Sequence, residues 1–373
     1  MSEHHTQVAE VSSGIKKFFN KAFSIVHIEG PQVDAKEIQK SPLMVVSTHR
    51  SHVDYFFVGN SLFQMGFKNL RFAAGDNLTK LPWIGPRFRA FGAFTVSRDS
   101  AFERNYVRKL CTEVVNMLEN RDAVLVFPEG GRSYSGSMLD IKGGILNAAL
   151  LSQAANLERD VYLLPVAVSY DRPPDLPFFP MLLKGKKYRK KSNNFFVRIL
   201  GDIYYFGADI MAFIPFFLTK HLPRSYGSIY MDYGTPISVR SMVDLEANRV
   251  SKARDEFAAH KVSLDRVSEQ IYKRFLSLYR ILPIHIICAA LKEHEGGSVN
   301  TTTLKDSAKK IKDTVCRVKH NCKTLDASTD TLIVKDGLNA LRKLKAIRIK
   351  GGEITIRKSH IIDYFSSTII NER

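Results

Sequence analysis

The segment STHRSHVDY, which occupies residues 47–55, directly follows the apolar run Leu43–Val46. A buried strand is expected to end there, and the mostly apolar stretch 55–63 favours a helix after it. A junction between a strand and a helix can hold polar side chains rigidly while leaving them accessible to a ligand. This junction carries His49 and, five positions later, Asp54. We therefore take it as the point around which the rest of the chain is organised.

Strand-like and helix-like patterns alternate after this first strand. Short β-rich runs predict strands, and amphipathic runs predict helices at 55–63, 101–118 and 144–155. The predicted strands are 43–47, 70–74, 91–97, 123–127, 161–169, 195–200 and 228–233. Strands that alternate with helices predict an α/β fold in which a largely parallel or mixed sheet is flanked by helices.

The pattern divides the chain into three parts. Residues 1–40 are expected to form an N-terminal amphipathic helix and lead-in, and residues 41–245 the α/β domain. Residues 246–373 are mostly helical in pattern and end in a predicted helix at 361–370. This C-terminal region contains the strongly apolar segment 278–291, which a proline interrupts.

The chain is strongly basic. Its 373 residues carry a formal net charge of +18, with a pI of about 9.7. Such a charge attracts phosphates on nucleic acids, on anionic bilayers or on acidic substrates and carriers, and charge alone does not separate these. Basic residues at 184–191 and 305–323 suggest a nucleic-acid-binding protein, but no zinc-finger spacing or aromatic-glycine RNA signature accompanies them. We therefore expect no nucleic-acid partner.

Two features bear on the cellular compartment. Residues 1–10 are polar and carry two acids, which is unlike a secretory signal, and no run of about 18 apolar residues predicts a spanning helix. The four cysteines at positions 111, 288, 316 and 322 need not pair, which fits a reducing cytoplasm. Cys316, His320 and Cys322 could bind a metal ion, but the absence of a fourth nearby ligand favours a helix surface, so we expect no metal.

Apolar and basic residues lie side by side in two places. Residues 15–26 have apolar side chains at helical spacing, with lysines near the polar side. The same pattern suits a helix in a membrane interface and a helix docked on the core. Apolar stretches at 176–183 and 210–218 lie on either side of the basic cluster 184–191. This pattern is typical of a monotopic membrane contact, and it also suits a solvated loop beside a buried helix. We expect a peripheral or monotopic protein on the cytoplasmic face of a membrane.

His49 and Asp54 have the residue types of a general base and the carboxylate that orients it. A neutral imidazole can take a proton from a hydroxyl at neutral pH, and a carboxylate on its other nitrogen stabilises the imidazolium that forms. The attacking hydroxyl would then belong to the substrate. The spacing alone is weak, because a histidine near an aspartate is more often structural and because His52 is a rival base.

The segment FPEGGRS at 127–133 follows a predicted strand and is rich in glycine. The backbone N–H groups of such a turn can bind an anion or a developing oxyanion. Arg132 and Arg98 each provide a planar guanidinium suited to phosphate, although either one taken alone is better explained by a surface salt bridge.

Taken together, these motifs resemble the glycerolipid acyltransferase family. Its four sequence blocks are matched in order by HRSHVD at 49–54, GAFTVSR at 92–98, FPEGGR at 127–132 and LPV at 164–166. The stretches AAGDNL at 73–78 and EGGRS at 129–133, with Lys142-Gly143, look most like the glycerol-3-phosphate and dihydroxyacetone-phosphate acyltransferase branch. The resemblance spans roughly residues 40–240 and, more faintly, the helical tail.

The resemblance implies roles for particular residues. His49 would be the general base, oriented by Asp54, and Pro165 would shape the acyl-donor side. The phosphate end of the acceptor would be held by the second and third blocks, at Arg98, Glu129, Gly130, Gly131, Arg132 and Ser133. The implied reaction is direct acyl transfer from acyl-CoA or acyl carrier protein as co-substrate, without a metal or other cofactor.

The acceptor stays open at this point. Residues 95–98 read TVSR, where the branch often has bulkier apolar residues and a second arginine. Glycerol 3-phosphate, dihydroxyacetone phosphate, and lysophosphatidate or another lysophospholipid therefore all remain candidates. Each is a phosphate-bearing molecule, which agrees with arginines near the catalytic junction.

Overall fold

The computed structural model describes residues 20–30, 38, 40–75, 79, 85–97, 103–184, 226–243, 261–294, 297–318 and 320–370. Its main feature is an eight-stranded sheet. The strands are β1 (Ile25–Glu29), β2 (Leu43–Ser47), β3 (Leu70–Gly75), β4 (Ala93–Val96), β5 (Ala123–Val126), β6 (Tyr162–Tyr170), β7 (Ser228–Tyr233) and β8 (Ile237–Ser238).

The sheet is mixed but mostly parallel. Its strand order is β1-β7-β6-β2-β5-β3-β4, with β8 paired to β6. The five strands from β6 to β4 run parallel, β7 and β8 are antiparallel to β6, and β1 is parallel to β7. This confirms the predicted α/β fold with a largely parallel or mixed sheet.

The sequence of β2 explains its central position. All five residues are buried, as is usual for a parallel strand that is covered on both faces. Leu43 and Val45 belong to the cluster on one face of the sheet, and Met44 and Val46 to the cluster on the other. Because both faces are packed, the polar residues that follow β2 leave the sheet at a rigid edge.

Helices cover both faces of the sheet. They are α1 (Asp54–Gln64), α2 (Gly85–Ala90), α3 (Arg104–Glu119) and α4 (Gly143–Ala155). Apolar residues of α1 and α2 pack into the same cluster as Leu43, whereas those of α3 and α4 pack with Met44. The predicted helices at 55–63, 101–118 and 144–155 agree with α1, α3 and α4 to within a few residues.

The C-terminal region is mainly helical, as predicted. It contains α5 (Lys261–Leu278), α6 (Pro283–Lys292), α7 (Thr301–Arg317), α8 (Lys323–Asp326), α9 (Asp330–Lys343) and α10 (Ser359–Ile370). The region also contains a small antiparallel sheet, formed by β9 (Val299–Asn300), β10 (Ile347–Lys350) and β11 (Glu353–Ile356). Pro283 opens α6, where its missing N–H costs nothing, and α6 forms the centre of this region's core. None of the described helices has the length and apolar character needed to cross a bilayer.

The helix predicted over residues 15–26 is wrong at its C-terminal end. Residues 20–22 are helical, but Ile25–Glu29 form β1 in parallel register with residues 228–232 of β7. The β-branched residues of this segment favour a strand once a partner strand is available. Residues 1–19, most of the basic cluster 184–191, the stretch 210–218, the predicted strand 195–200 and the predicted boundary at 245 lie outside the described residues.

The expectation that the cysteines are unpaired is wrong for Cys316 and Cys322. Cys316 lies near the end of α7 and Cys322 directly before α8, and the two form a disulfide with a Cα–Cα distance of 5.8 Å. The turn between α7 and α8 brings the two sulfurs together, which the linear spacing did not reveal. Their thiolates are therefore not free to bind a metal with His320. Cys111 and Cys288 are free and buried.

Candidate active site

His49 and Asp54 contact each other across the turn between β2 and α1. The Nδ1 atom of His49 lies 2.9 Å from Asp54 Oδ2. The same oxygen accepts hydrogen bonds from the backbone N–H groups of Arg50, at 2.6 Å, and Ser51, at 2.8 Å. Because Asp54 is the first residue of α1 and is fully buried, its carboxylate also lies at the positive end of that helix.

The second carboxylate oxygen of Asp54 contacts a side chain of the sheet. The hydroxyl of Tyr170, the last residue of β6, donates a hydrogen bond to Asp54 Oδ1. Burial and the neighbouring Asp54 charge raise the pKa of Tyr170 well above its ordinary value, so the phenol stays protonated and remains a donor. Both carboxylate oxygens are thus fixed, and with them the orientation of His49.

The environment of His49 favours the neutral form of its imidazole. Burial lowers the pKa of His49, and the hydrogen bond and charge of Asp54 oppose this effect. The ring stacks on Phe127, with a centroid distance of 4.3 Å, and meets the edge of Tyr55 at 5.2 Å. Because the Nδ1 proton is donated to Asp54, the Nε2 atom carries the lone pair of a general base.

His49 lines a cavity of about 240 Å³. Its walls are mainly apolar, with side chains from β3 to β5, α3 and α4. The turn at residues 128–131, which we call the glycine turn, and Lys142 add the polar part of the lining. The residues that line it are His49, Tyr55, Ala73, Gly75, Val96, Tyr106, Val107, Leu110, Val126, Phe127, Pro128, Gly130, Gly131, Lys142, Gly144 and Ile145. The arrangement suits a ligand with both an apolar and an anionic part.

Glu129 supports the turn between β2 and α1, which carries His49. Its carboxylate accepts the backbone N–H of His49 at 2.9 Å and that of Leu139 at 3.1 Å. It also pairs with the guanidinium of Arg50 at 3.0 Å, and both side chains are buried. The carboxylate is therefore occupied by internal partners, and Glu129 does not line the cavity described above.

Arg132 is also held inside the protein. Its guanidinium forms an ion pair with Asp175 and donates to the Tyr134 hydroxyl at 3.0 Å, with 1% of the side chain exposed. Asp175 in turn accepts the hydroxyl of Ser51 at 2.6 Å and the backbone N–H of His52 at 3.2 Å. Through Asp175, Arg132 thus links the third sequence block to the turn between β2 and α1, and it does not line the cavity.

The remaining predicted site residues occupy different positions. Gly130 and Gly131 line the cavity, whereas Ser133 donates its N–H to the His49 carbonyl at 3.1 Å and its hydroxyl to the Ser137 carbonyl at 2.6 Å. Pro165 lies within β6 in register with Val46 and is not part of the cavity wall. Arg98 lies outside the described residues. The substrate roles assigned to these residues stay predictions.

Three residues that support the site were not singled out from the sequence. Tyr170 and Asp175 come at and just after the end of β6, which is parallel to β2 and adjacent to it. The carboxyl ends of neighbouring parallel strands meet at one edge of a sheet, and this rule could have indicated both residues. Lys142 was noted only as part of the family pattern, yet it lines the cavity.

Comparison with known proteins identifies the family. A family model described as acyltransferase matches residues 26–169, and one described as the glycerol-3-phosphate acyltransferase C-terminal region matches residues 216–370. The chain belongs to the glycerolipid acyltransferase family, in its glycerol-3-phosphate acyltransferase branch. The first match contains the His49–Asp54 junction, and the second contains the helical C-terminal region of this family member.

Relatives in this branch are much longer than the matched segment. The glycerol-3-phosphate acyltransferase of Shewanella frigidimarina (strain NCIMB 400) is 30% identical over 241 residues, which are 64% of this chain and 27% of the relative. That of Glaesserella parasuis serovar 5 (strain SH0165) is 25% identical over 252 residues, which are 66% of this chain and 31% of the relative. The chain thus spans less than a third of the length of these curated relatives.

A solved structure is also similar. It is the 1-acyl-sn-glycerophosphate (LPA) acyltransferase from Thermotoga maritima, which matches 74% of this chain and 82% of its own. The sequence identity is 18% and the TM-score is 0.36.

Proposed function

We propose that this chain is an O-acyltransferase that moves a fatty acyl group from an acyl thioester to a hydroxyl of glycerol 3-phosphate, in phospholipid biosynthesis. The observation that carries the proposal is the buried His49–Asp54 pair, whose histidine lines an apolar-walled cavity. Relatives named glycerol-3-phosphate acyltransferase support the choice of acceptor. The donor is acyl-CoA or acyl carrier protein, and no metal or other cofactor takes part.

The proposed reaction needs one base and no covalent enzyme intermediate. His49 Nε2 removes the proton of the acceptor hydroxyl as its oxygen attacks the thioester carbonyl carbon. The tetrahedral intermediate then collapses, the carbon–sulfur bond breaks, and the departing thiolate takes the proton from the imidazolium. The products are an ester and a free thiol.

The environment of His49 suits both halves of this cycle. Burial favours the neutral imidazole that accepts the proton, and the Asp54 carboxylate stabilises the imidazolium that follows. Since Arg50, Ser51 and Tyr170 hold Asp54, the carboxylate needs little reorganisation when the charge develops on the ring.

We further propose that the protein acts at the cytoplasmic face of a membrane as a peripheral or monotopic protein. The support is its net charge of +18, which attracts anionic lipid headgroups, and the lipid nature of an acylated product. An acidic acyl carrier protein would be attracted by the same charge.

A competition experiment tests the proposed function. Purified protein is given one long-chain acyl thioester with equal amounts of glycerol 3-phosphate, dihydroxyacetone phosphate and lysophosphatidate, and the products are identified by mass spectrometry. We expect a monoacylated glycerol 3-phosphate, and His49→Ala should abolish its formation. A diacylated phosphate product would establish the lysophosphatidate alternative instead. Near-normal turnover by His49→Ala would refute the mechanism and direct attention to His52.

A further inference from the structure

Among the described residues, Lys142 is the one basic side chain, lysine or arginine, that lines the cavity at His49. Its backbone N–H donates to the Pro128 carbonyl at 2.8 Å, so the residue is anchored to the glycine turn of the third block. It directly precedes α4, and its side chain is exposed. The backbone is therefore fixed while the ammonium group remains accessible from the cavity.

Gly130 provides the space that Lys142 occupies. A Cβ atom built on Gly130 would lie 2.6 Å from Lys142 Cδ and 2.8 Å from Lys142 Nζ. The φ angle of Gly130 is +68°, which also favours glycine at this position. The lysine side chain thus lies directly on the glycine turn, at the same cavity as His49.

The buried arginines of the site have their own carboxylates. Arg132 pairs with Asp175, and Arg50 pairs with Glu129. Each pair is internally neutral and none of the four side chains lines the cavity. A phosphate that enters the cavity therefore meets the charge of Lys142 rather than the charge of Arg132.

We propose that the Lys142 ammonium group binds the phosphate monoester of the acceptor and so holds its hydroxyl near His49. The inference rests on the proposed function, because it names a group that recognises the acceptor. An ammonium group provides three donors and a compact charge, which suits a phosphate that arrives with its hydration partly retained. Coenzyme A and phosphopantetheine donors also carry phosphate, so the test must separate the two substrates.

Three variants make this test. Lys142→Gln removes the charge, Lys142→Arg keeps it, and Lys109→Gln makes the same change at an exposed lysine of α3 that does not line the cavity. Two quantities are measured: the Kd of glycerol 3-phosphate by calorimetry without any acyl donor, and the KM of each substrate during turnover.

Lys142→Gln should raise the Kd and KM of glycerol 3-phosphate about 10- to 100-fold, as expected for the loss of a hydrogen bond to a charged group. The KM of the acyl donor should change less than about threefold. Lys142→Arg should keep most of the affinity, and Lys109→Gln should match the unmodified protein.

An unchanged Kd in Lys142→Gln would overturn the inference, as would an equal loss for donor and acceptor. Failure of the unmodified protein to bind glycerol 3-phosphate would overturn it as well. If the protein binds glycerol 3-phosphate through Lys142 but transfers no acyl group, the phosphate site stands and the proposed function fails. The binding and turnover measurements thus report on the two proposals separately.

Discussion

The hydroxyl of Tyr170 donates to Asp54 Oδ1, the carboxylate oxygen that His49 leaves unused. Tyr170 comes from the end of β6, so the sheet itself orients the His49–Asp54 pair. Tyr170 is 1% exposed to solvent and Asp54 is fully buried. The contact makes Tyr170 a positioning residue in the proposed mechanism.

Replacing Tyr170 by phenylalanine should lower kcat by about tenfold, since a hydrogen bond to a charged group contributes on the order of 1.5–3 kcal/mol. Without this donor, the negative charge of Asp54 is less compensated and stabilises the imidazolium of His49 more strongly. The pKa of the imidazole should therefore rise. The acid limb of the rate profile should therefore move to higher pH. Turnover measured from pH 5 to 9 checks both effects.

Tyr233 provides the matched control for this variant. It is buried like Tyr170, and its hydroxyl contacts Ser61 rather than Asp54. Tyr233→Phe should lower the free energy of unfolding without moving the pH profile. A pH profile that shifts equally in both variants would show that the effect at Tyr170 is structural.

The Arg132–Asp175 pair leads to a second prediction, on stability. Asp175→Asn leaves a buried guanidinium without its carboxylate, which typically costs about 3–5 kcal/mol. Urea unfolding should show this loss, and the double variant Arg132→Met with Asp175→Asn should recover part of it. A loss that is simply additive in the double variant would contradict the ion pair.

The glycine turn allows a third prediction from neighbouring positions. Gly130→Ala should displace Lys142 and strain the backbone, which together should lower stability by about 1 kcal/mol or more and raise the acceptor KM. A Cβ on Gly131 would meet no described atom within 4 Å, so Gly131→Ala should leave the unfolding free energy within about 0.5 kcal/mol. Equal destabilisation by both changes, measured by urea unfolding, would refute this account.

Local features of the sequence predicted the central sheet and the contact between His49 and Asp54. The apolar run of β2 can be recognised without knowledge of its neighbours, and His49 reaches Asp54 across a turn of five residues. The strand β1 was missed because its partner, β7, begins about two hundred residues later, and helical spacing dominated the local pattern.

Partners that are distant in sequence explain the rest of what was missed. Arg132 has the residue type and position of a phosphate ligand, and only the fold shows that Asp175, 43 residues away, neutralises it. The position of Asp175 follows from the pairing of β6 with β2, which the sequence order does not determine. A buried ion pair and an anion-binding arginine therefore look the same in the sequence.

His285 gives a final prediction, on acid stability. It lies in α6 with 1% of its surface exposed, and its Nδ1 accepts the backbone N–H of Leu282 at 2.9 Å. Burial, reinforced by the charge of Arg50, lowers the pKa of His285 to about 3. In the unfolded chain a histidine titrates near pH 6.5, so below that pH the unfolded state binds a proton that the folded state does not.

The contribution of His285 to stability is thus fully present above about pH 6.5 and is lost as the pH falls from 6.5 toward 3. By pH 5 the loss should reach about 2 kcal/mol. His285→Asn retains an acceptor for Leu282 but does not titrate, so its unfolding free energy should decline less between pH 7 and pH 5. Urea unfolding of both proteins at these two pH values checks the difference, and parallel declines would show that His285 is not the group responsible.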